Sequence, residues 1–154
     1  MQNFLVIDFY DFKKLQNEFI KNNLNANIVV ICVGTKKYKY DNFGVILGDI
    51  LKKEKIIVYG SSKREVNGLN FLKVYNYVKN KHKNCKIIII DVVFCKSKIK
   101  PILIYKNQPI IVSALNNKIA IGDAGILFNS FSYYNKDYIL IVSKFILNLF
   151  REIS

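Results

Sequence analysis

This sequence predicts an α/β fold, with a mostly parallel sheet held between two helical layers in an α/β/α arrangement. Three observations carry that expectation. The runs Ile28–Val33, Ile56–Tyr59 and Lys86–Ile90 are apolar at consecutive positions and rich in β-branched residues, as strands covered on both faces are. The segments between them carry apolar residues three and four apart, the helical spacing. The resulting order of strand, helix, strand, helix, strand requires right-handed crossovers and a parallel sheet.

Each element has its own justification. Residues 3–7 (NFLVI) form a short apolar segment, expected as an edge strand. Asp8–Asn23 spaces Phe9, Phe12, Leu15, Phe19 and Ile20 as one helical face, with Asp8 or Asp11 available to cap its start. Residues 1–26 are thus a strand-and-helix extension of a single domain spanning 1–154. Gly34 ends the first central strand. Asn42–Lys53 predicts a short helix with Phe43, Ile46, Leu47, Ile50 and Leu51 inward, and Gly44 and Gly48 on one face would let it approach the sheet closely. Gly60 stops the second strand. A helix is expected over residues 64–81, with Val66, Leu69, Leu72, Val74, Tyr75 and Val78 inward and a basic exit, KNKHKNCK. After Asp91 the pattern changes. Ile99–Tyr105 and Pro109–Ser113 read as extended without an intervening helix, and Pro101 and Pro109 suit a mixed or antiparallel edge better than a central strand. Lys118–Ile121 followed by GDAGILFN predicts a strand broken by a glycine turn. Asp137–Glu152 closes the chain as a helix with Tyr138, Ile141, Val142, Phe145, Ile146 and Leu149 inward.

Composition narrows the class. At 154 residues with 51% apolar and 14% aromatic content, the chain can bury an ordinary core and is not a disordered segment. No apolar run approaches the roughly 20 residues that span a bilayer. The start, MQNFLVIDFYDFKK, lacks the pattern of a secretory signal, so a cytoplasmic location is expected. Cys32, Cys85 and Cys95 form no CxxC and no Cys/His set, which argues against zinc and against a disulfide scaffold. The net charge of +13 invites a polyanion. It is nearly all lysine, however, with Arg64 and Arg151 the sole arginines, so nucleic acid is a possible partner but not the favoured one.

In an open parallel sheet, ligands bind beyond the carboxyl ends of the strands where strand order reverses. A 2-1-3 order places Asp41, in the loop after the first strand, beside Asp91, at the end of the third. Asp123, in a later loop, offers a third acid. Paired carboxylates can share a proton, activate water or hold a cation. Each acid also has a structural use open to it: Asp41 as a helix cap, Asp91 as an acceptor for loop amides, Asp123 as a turn residue. No GxSxG elbow, Walker A loop or GxGxxG is present, and His82, the sole histidine, is expected on the solvated basic exit. No cofactor and no metal site are expected.

The succession GTKKYKYDNFG, VYG, NGLN, IIIID and KIAIGDAGILFN resembles the sporulation protein YyaC family (DUF1256) over residues 27–150. That family is related to the spore germination protease and the hydrogenase maturation proteases. Gly34, Thr35, Asp41 and Gly44 match its first motif, Val58, Tyr59 and Gly60 its second, Asp91 its third, and Gly122, Asp123 and Asn129 its fourth. The resemblance implies a maturation-protease-like fold and a peptidase-like hydrolase with Asp41 and Asp91 catalytic. It also implies that Gly34, Thr35, Gly44, Asp123 and Asn129 contact a protein or peptide substrate. The family's acid-arginine pair is Lys36-Lys37 here, its proline is Val45, and its glycine-rich loop is NQPIIVSALNNK. These departures keep an alternative open: a relative without turnover that binds a partner during sporulation. Oligomeric state is not legible.

Overall fold

The computed structural model describes residues 9–93, 102–114, 117–129 and 136–154. A five-stranded sheet runs β2 (Ile57–Tyr59), β1 (Ile28–Cys32), β3 (Lys86–Val93), β7 (Ala124–Asn129), β4 (Ile102–Lys106). β2, β1, β3 and β7 are parallel, and β4 pairs antiparallel with β7 as the edge. β5 (Ile110–Ala114) and β6 (Asn117–Ile121) form a separate antiparallel pair. The mostly parallel sheet between two covering layers is the fold the sequence predicts.

Strand alternation builds the two cores. Val30, Cys32, Ile88, Ile90 and Ile126 face α1 (Phe9–Asn23), α2 (Phe43–Leu51) and α4 (Lys136–Ile153). Val29, Ile31, Ile87 and Ile89 face α3 (Phe71–Lys81) together with Ile110 and Ile121 of the β5–β6 pair. Both faces of β1 and β3 are buried, so neither strand alternates apolar with polar. Burial pushes the Cys32 thiol far above its ordinary range. Iodoacetamide at pH 8 should therefore modify the half-buried Cys85 in native protein and reach Cys32 only after unfolding. Peptide mapping showing equal labelling of the two would contradict this packing.

Glycines set the distance between α2 and the sheet. A Cβ on Gly44 would lie 2.1 Å from the Val33 carbonyl oxygen, and one on Gly48 would lie 1.9 Å from that of Gly60. The close approach expected from their spacing is present.

Some elements differ from expectation. α3 begins at Phe71, not near Arg64. Asn67 and Asn70 divert the backbone: the Asn67 N–H donates to Asn70 Oδ1 (2.9 Å), the Leu69 N–H donates to Asn67 Oδ1 (3.0 Å), and Asn70 Nδ2 donates to the Glu65 carbonyl (2.9 Å). Such side-chain bonds compete with helix formation. Leu69, expected inward, is 94% exposed, while Phe71 is buried in its place. His82 is not a free surface residue: it caps α3 and its Nε2 is 2.9 Å from the Tyr59 hydroxyl. The expected strand over 3–7, the cap at Asp8, residues 99–101 of the expected strand, and Cys95 lie outside the described residues, as does the side chain of Asp11.

Candidate functional site

The site begins where β1 ends. The Val33 N–H donates to the Ile90 carbonyl (2.8 Å), extending β1 alongside β3, and Val33 also bridges to Val66. The chain then folds back on itself. Thr35 N–H donates to the Asp41 carbonyl (2.8 Å) and Asp41 N–H to that of Tyr38 (3.0 Å), closing the loop through a short turn at Lys39–Asp41. This return requires a bare backbone at Gly34, whose added Cβ would lie 2.5 Å from the Asp41 carbonyl oxygen. Gly34 and Gly44 are buried, and both shape the site by letting backbone meet backbone.

Asp91 lies at the same edge, on β3, one strand position past the end of β1 pairing. It is partly buried, and its Oδ1 accepts the Val92 N–H at 2.7 Å. Burial pushes its carboxyl up to about 7, the Val92 N–H works against that rise, and the charge of Asp41 adds to it. Asp41 is also raised, first by burial and then by Glu65. The two aspartates therefore share one electrostatic environment, as a 2-1-3 order requires.

Glu65 is the residue that sequence reasoning missed. Its two oxygens accept from Thr35 Oγ1 (2.9 Å) and the Lys36 N–H (2.8 Å). The Lys36 amide above all, joined by the Thr35 hydroxyl and the Lys36 charge, holds its carboxyl below the usual range although burial pushes the other way. Asp41 thus lies within the field of Glu65, and Asp91 within that of Asp41.

The model of a family described as "Protein of unknown function (DUF1256)" matches residues 7–151. The chain belongs to the DUF1256 family. No curated protein and no solved structure matches it.

The remaining expected residues of this DUF1256 chain fall in three places. Thr35 is beside the acids, but its hydroxyl is engaged with Glu65 and with the Lys37 N–H (3.2 Å). Asn129 ends β7 opposite Val93, at the same carboxyl edge. Asp123 is not with them. It precedes β7, and its Oδ2 accepts the Ile87 N–H (2.8 Å) while its own N–H donates to the Ile87 carbonyl (2.8 Å). Asp123 therefore pins the start of β3. Ile87 and Asp91 are four strand positions apart, roughly 13 Å, so the third acid belongs to the opposite rim. Gly122 beside it adopts φ +72° and its N–H donates to the Tyr75 hydroxyl (3.1 Å).

A cavity of about 350 Å3 also lies at that opposite rim, lined by Asn27, Lys55, Cys85, Phe150 and Ile153 among others. It does not include the acids. Among the described residues, no group of three or more His, Cys, Asp or Glu side chains is placed to hold a metal ion, and no helix is long and apolar enough to cross a membrane.

Proposed function

We propose that this DUF1256 protein is a peptidase-like hydrolase in which Asp41 and Asp91 act as a general base and a general acid. The observation that carries the reading is a buried aspartate, Asp91, at the carboxyl edge of a parallel sheet, within reach of the charge of a second aspartate, Asp41, in the loop after β1. A carboxyl whose midpoint is pushed up to about 7 keeps its proton near neutrality. A carboxyl that holds its proton beside a second acid is suited to donate it, which makes Asp91 the acid and Asp41 the base of this reading.

Asp41 takes a proton from a water as the water oxygen bonds to the amide carbon, and Asp91 gives its proton to the carbonyl oxygen. Collapse breaks the C–N bond, the amine leaves with the proton held by Asp41, and Asp91 recovers its own as the carbonyl re-forms. The sheet edge that presents both acids is the usual ligand-binding rim of this architecture.

Purified protein incubated with a mixed peptide library should yield new amino termini detectable by mass spectrometry. Asp41→Asn and Asp91→Asn should each lower turnover by about 100-fold or more, the ordinary worth of a positioned acid or base. Turnover unaffected by either substitution defeats the proposal. Saturable peptide binding without cleavage, retained in both variants, would instead favour a partner-binding protein.

A further inference from the structure

The loop bearing Asp41 is fastened by a side chain from a different crossover. We propose that Glu65 is the positioning residue of the acid pair: it clamps the Asp41 loop to the loop after β2 and holds a fixed negative charge facing Asp41. The role in catalysis rests on the hydrolase reading; the clamp and the charge facing Asp41 are properties of the folded chain.

The clamp is visible bond by bond. Both Glu65 oxygens are taken by residues that directly follow Gly34, through Thr35 Oγ1 and the Lys36 N–H. Thr35 is at once bonded to the Asp41 carbonyl through its own N–H. One residue therefore links the Glu65 carboxylate to the Asp41 backbone. Glu65 is itself anchored: its carbonyl accepts Asn70 Nδ2, and its neighbour Val66 accepts the Gly34 N–H (2.8 Å) and bridges to Val33. Lys36 Nζ reaches across to the Ser62 carbonyl (2.8 Å) and ties the two loops a second time.

The charge coupling follows from this placement. A carboxylate accepting two donors stays ionised. Asp41 faces Glu65 from the loop after β2 and Asp91 from β3. Of the cations on its own loop, Lys36 is turned to Ser62, and Lys37 and Lys39 are exposed to solvent. Asp41 therefore ionises against the charge of Glu65, and Asp91 against that of Asp41. A side chain serving only to hold the loop would leave the proton affinity of Asp41 untouched.

Carboxyl 13C titration of the full-length protein tests it. In the wild type, Asp91 should titrate last, and Asp41 should respond at the Glu65 midpoint as well as its own. Glu65→Gln keeps the shape and one acceptor but removes the charge. It should move the Asp41 midpoint to lower pH, with Asp91 still last. Glu65→Asp, which keeps the charge, should leave Asp41 raised. An Asp41 midpoint unchanged in folded Glu65→Gln, or lowered as much by Glu65→Asp as by Glu65→Gln, overturns the inference. Should Glu65→Gln fail to fold, the wild type decides: an Asp41 signal that shows no response at the Glu65 midpoint overturns it. An Asp91 that titrates with ordinary carboxylates defeats the hydrolase reading instead, and leaves the Glu65–Asp41 coupling to be read independently.

Discussion

Replacing Gly60 with alanine should remove much of the stability of the fold. Gly60 ends β2 with φ +97°, and a Cβ there would lie 2.0 Å from the Cys32 carbonyl oxygen. Two costs combine. An alanine held in that backbone region stores on the order of 1–3 kcal/mol, and forcing a buried contact apart adds about 1–3 kcal/mol more. The sum is a large share of the roughly 5–15 kcal/mol that holds a domain folded. The obstacle is backbone, so no side chain can swing away to relieve it. Because Gly48 packs on the Gly60 carbonyl, the displacement would also lift α2. Gly68→Ala is the control, since a Cβ there meets nothing within 4 Å; its effect should stay within about 0.5 kcal/mol. Urea midpoints of the two variants settle the matter: similar values would contradict the close approach of α2 and β2 to β1.

Replacing Asp91 with asparagine should stabilise the protein at alkaline pH while abolishing its proposed activity. The folded-state carboxyl sits at about 7, above its ordinary value of 3.8. Between those values the folded chain holds a proton that the unfolded chain has released, so stability falls as pH rises through the window. The contribution is fully present below the lower value and fully lost above the upper one. At roughly 1.4 kcal/mol per pH unit the loss approaches about 4 kcal/mol, and less where water reaches the group. Asparagine has no charge to expose to this cost, and its carbonyl can still accept the Val92 N–H. Thermal melts should show a clear gain over the wild type at pH 8 and almost none at pH 4. An equal gain at both pH values would mean that the carboxyl is not destabilised by its surroundings.

The legible parts of the sequence were those where one force acts alone. Double-sided burial makes β1 and β3 readable as unbroken apolar runs, and the four-residue spacing of Gly44 and Gly48 announces their shared contact face. The start of α3 was hidden because apolar periodicity continues through Val66 and Leu69, while the side chains of Asn67 and Asn70 take the backbone bonds that a helix would need. Glu65 was lost with that error, since a residue assigned to a helix is not looked for at a sheet rim. The placement of Asp123 failed for a topological reason. A residue just before a parallel strand lies at the amino edge, and Asp123 precedes β7 by one position. Recognising β7 as parallel to β3, with β5 and β6 set aside as their own pair, would have put it there.

The position of β7 has a consequence for synthesis. β4 leaves the ribosome before β7, yet its only sheet partner among the described strands is β7, which inserts between it and β3. Until the chain has been made as far as Asn129, the side of β3 remote from β1 has no neighbour and β4 has nowhere to dock. The sheet cannot be completed by successive addition at one side, and translation must pass Asn129 before the middle of the sheet closes.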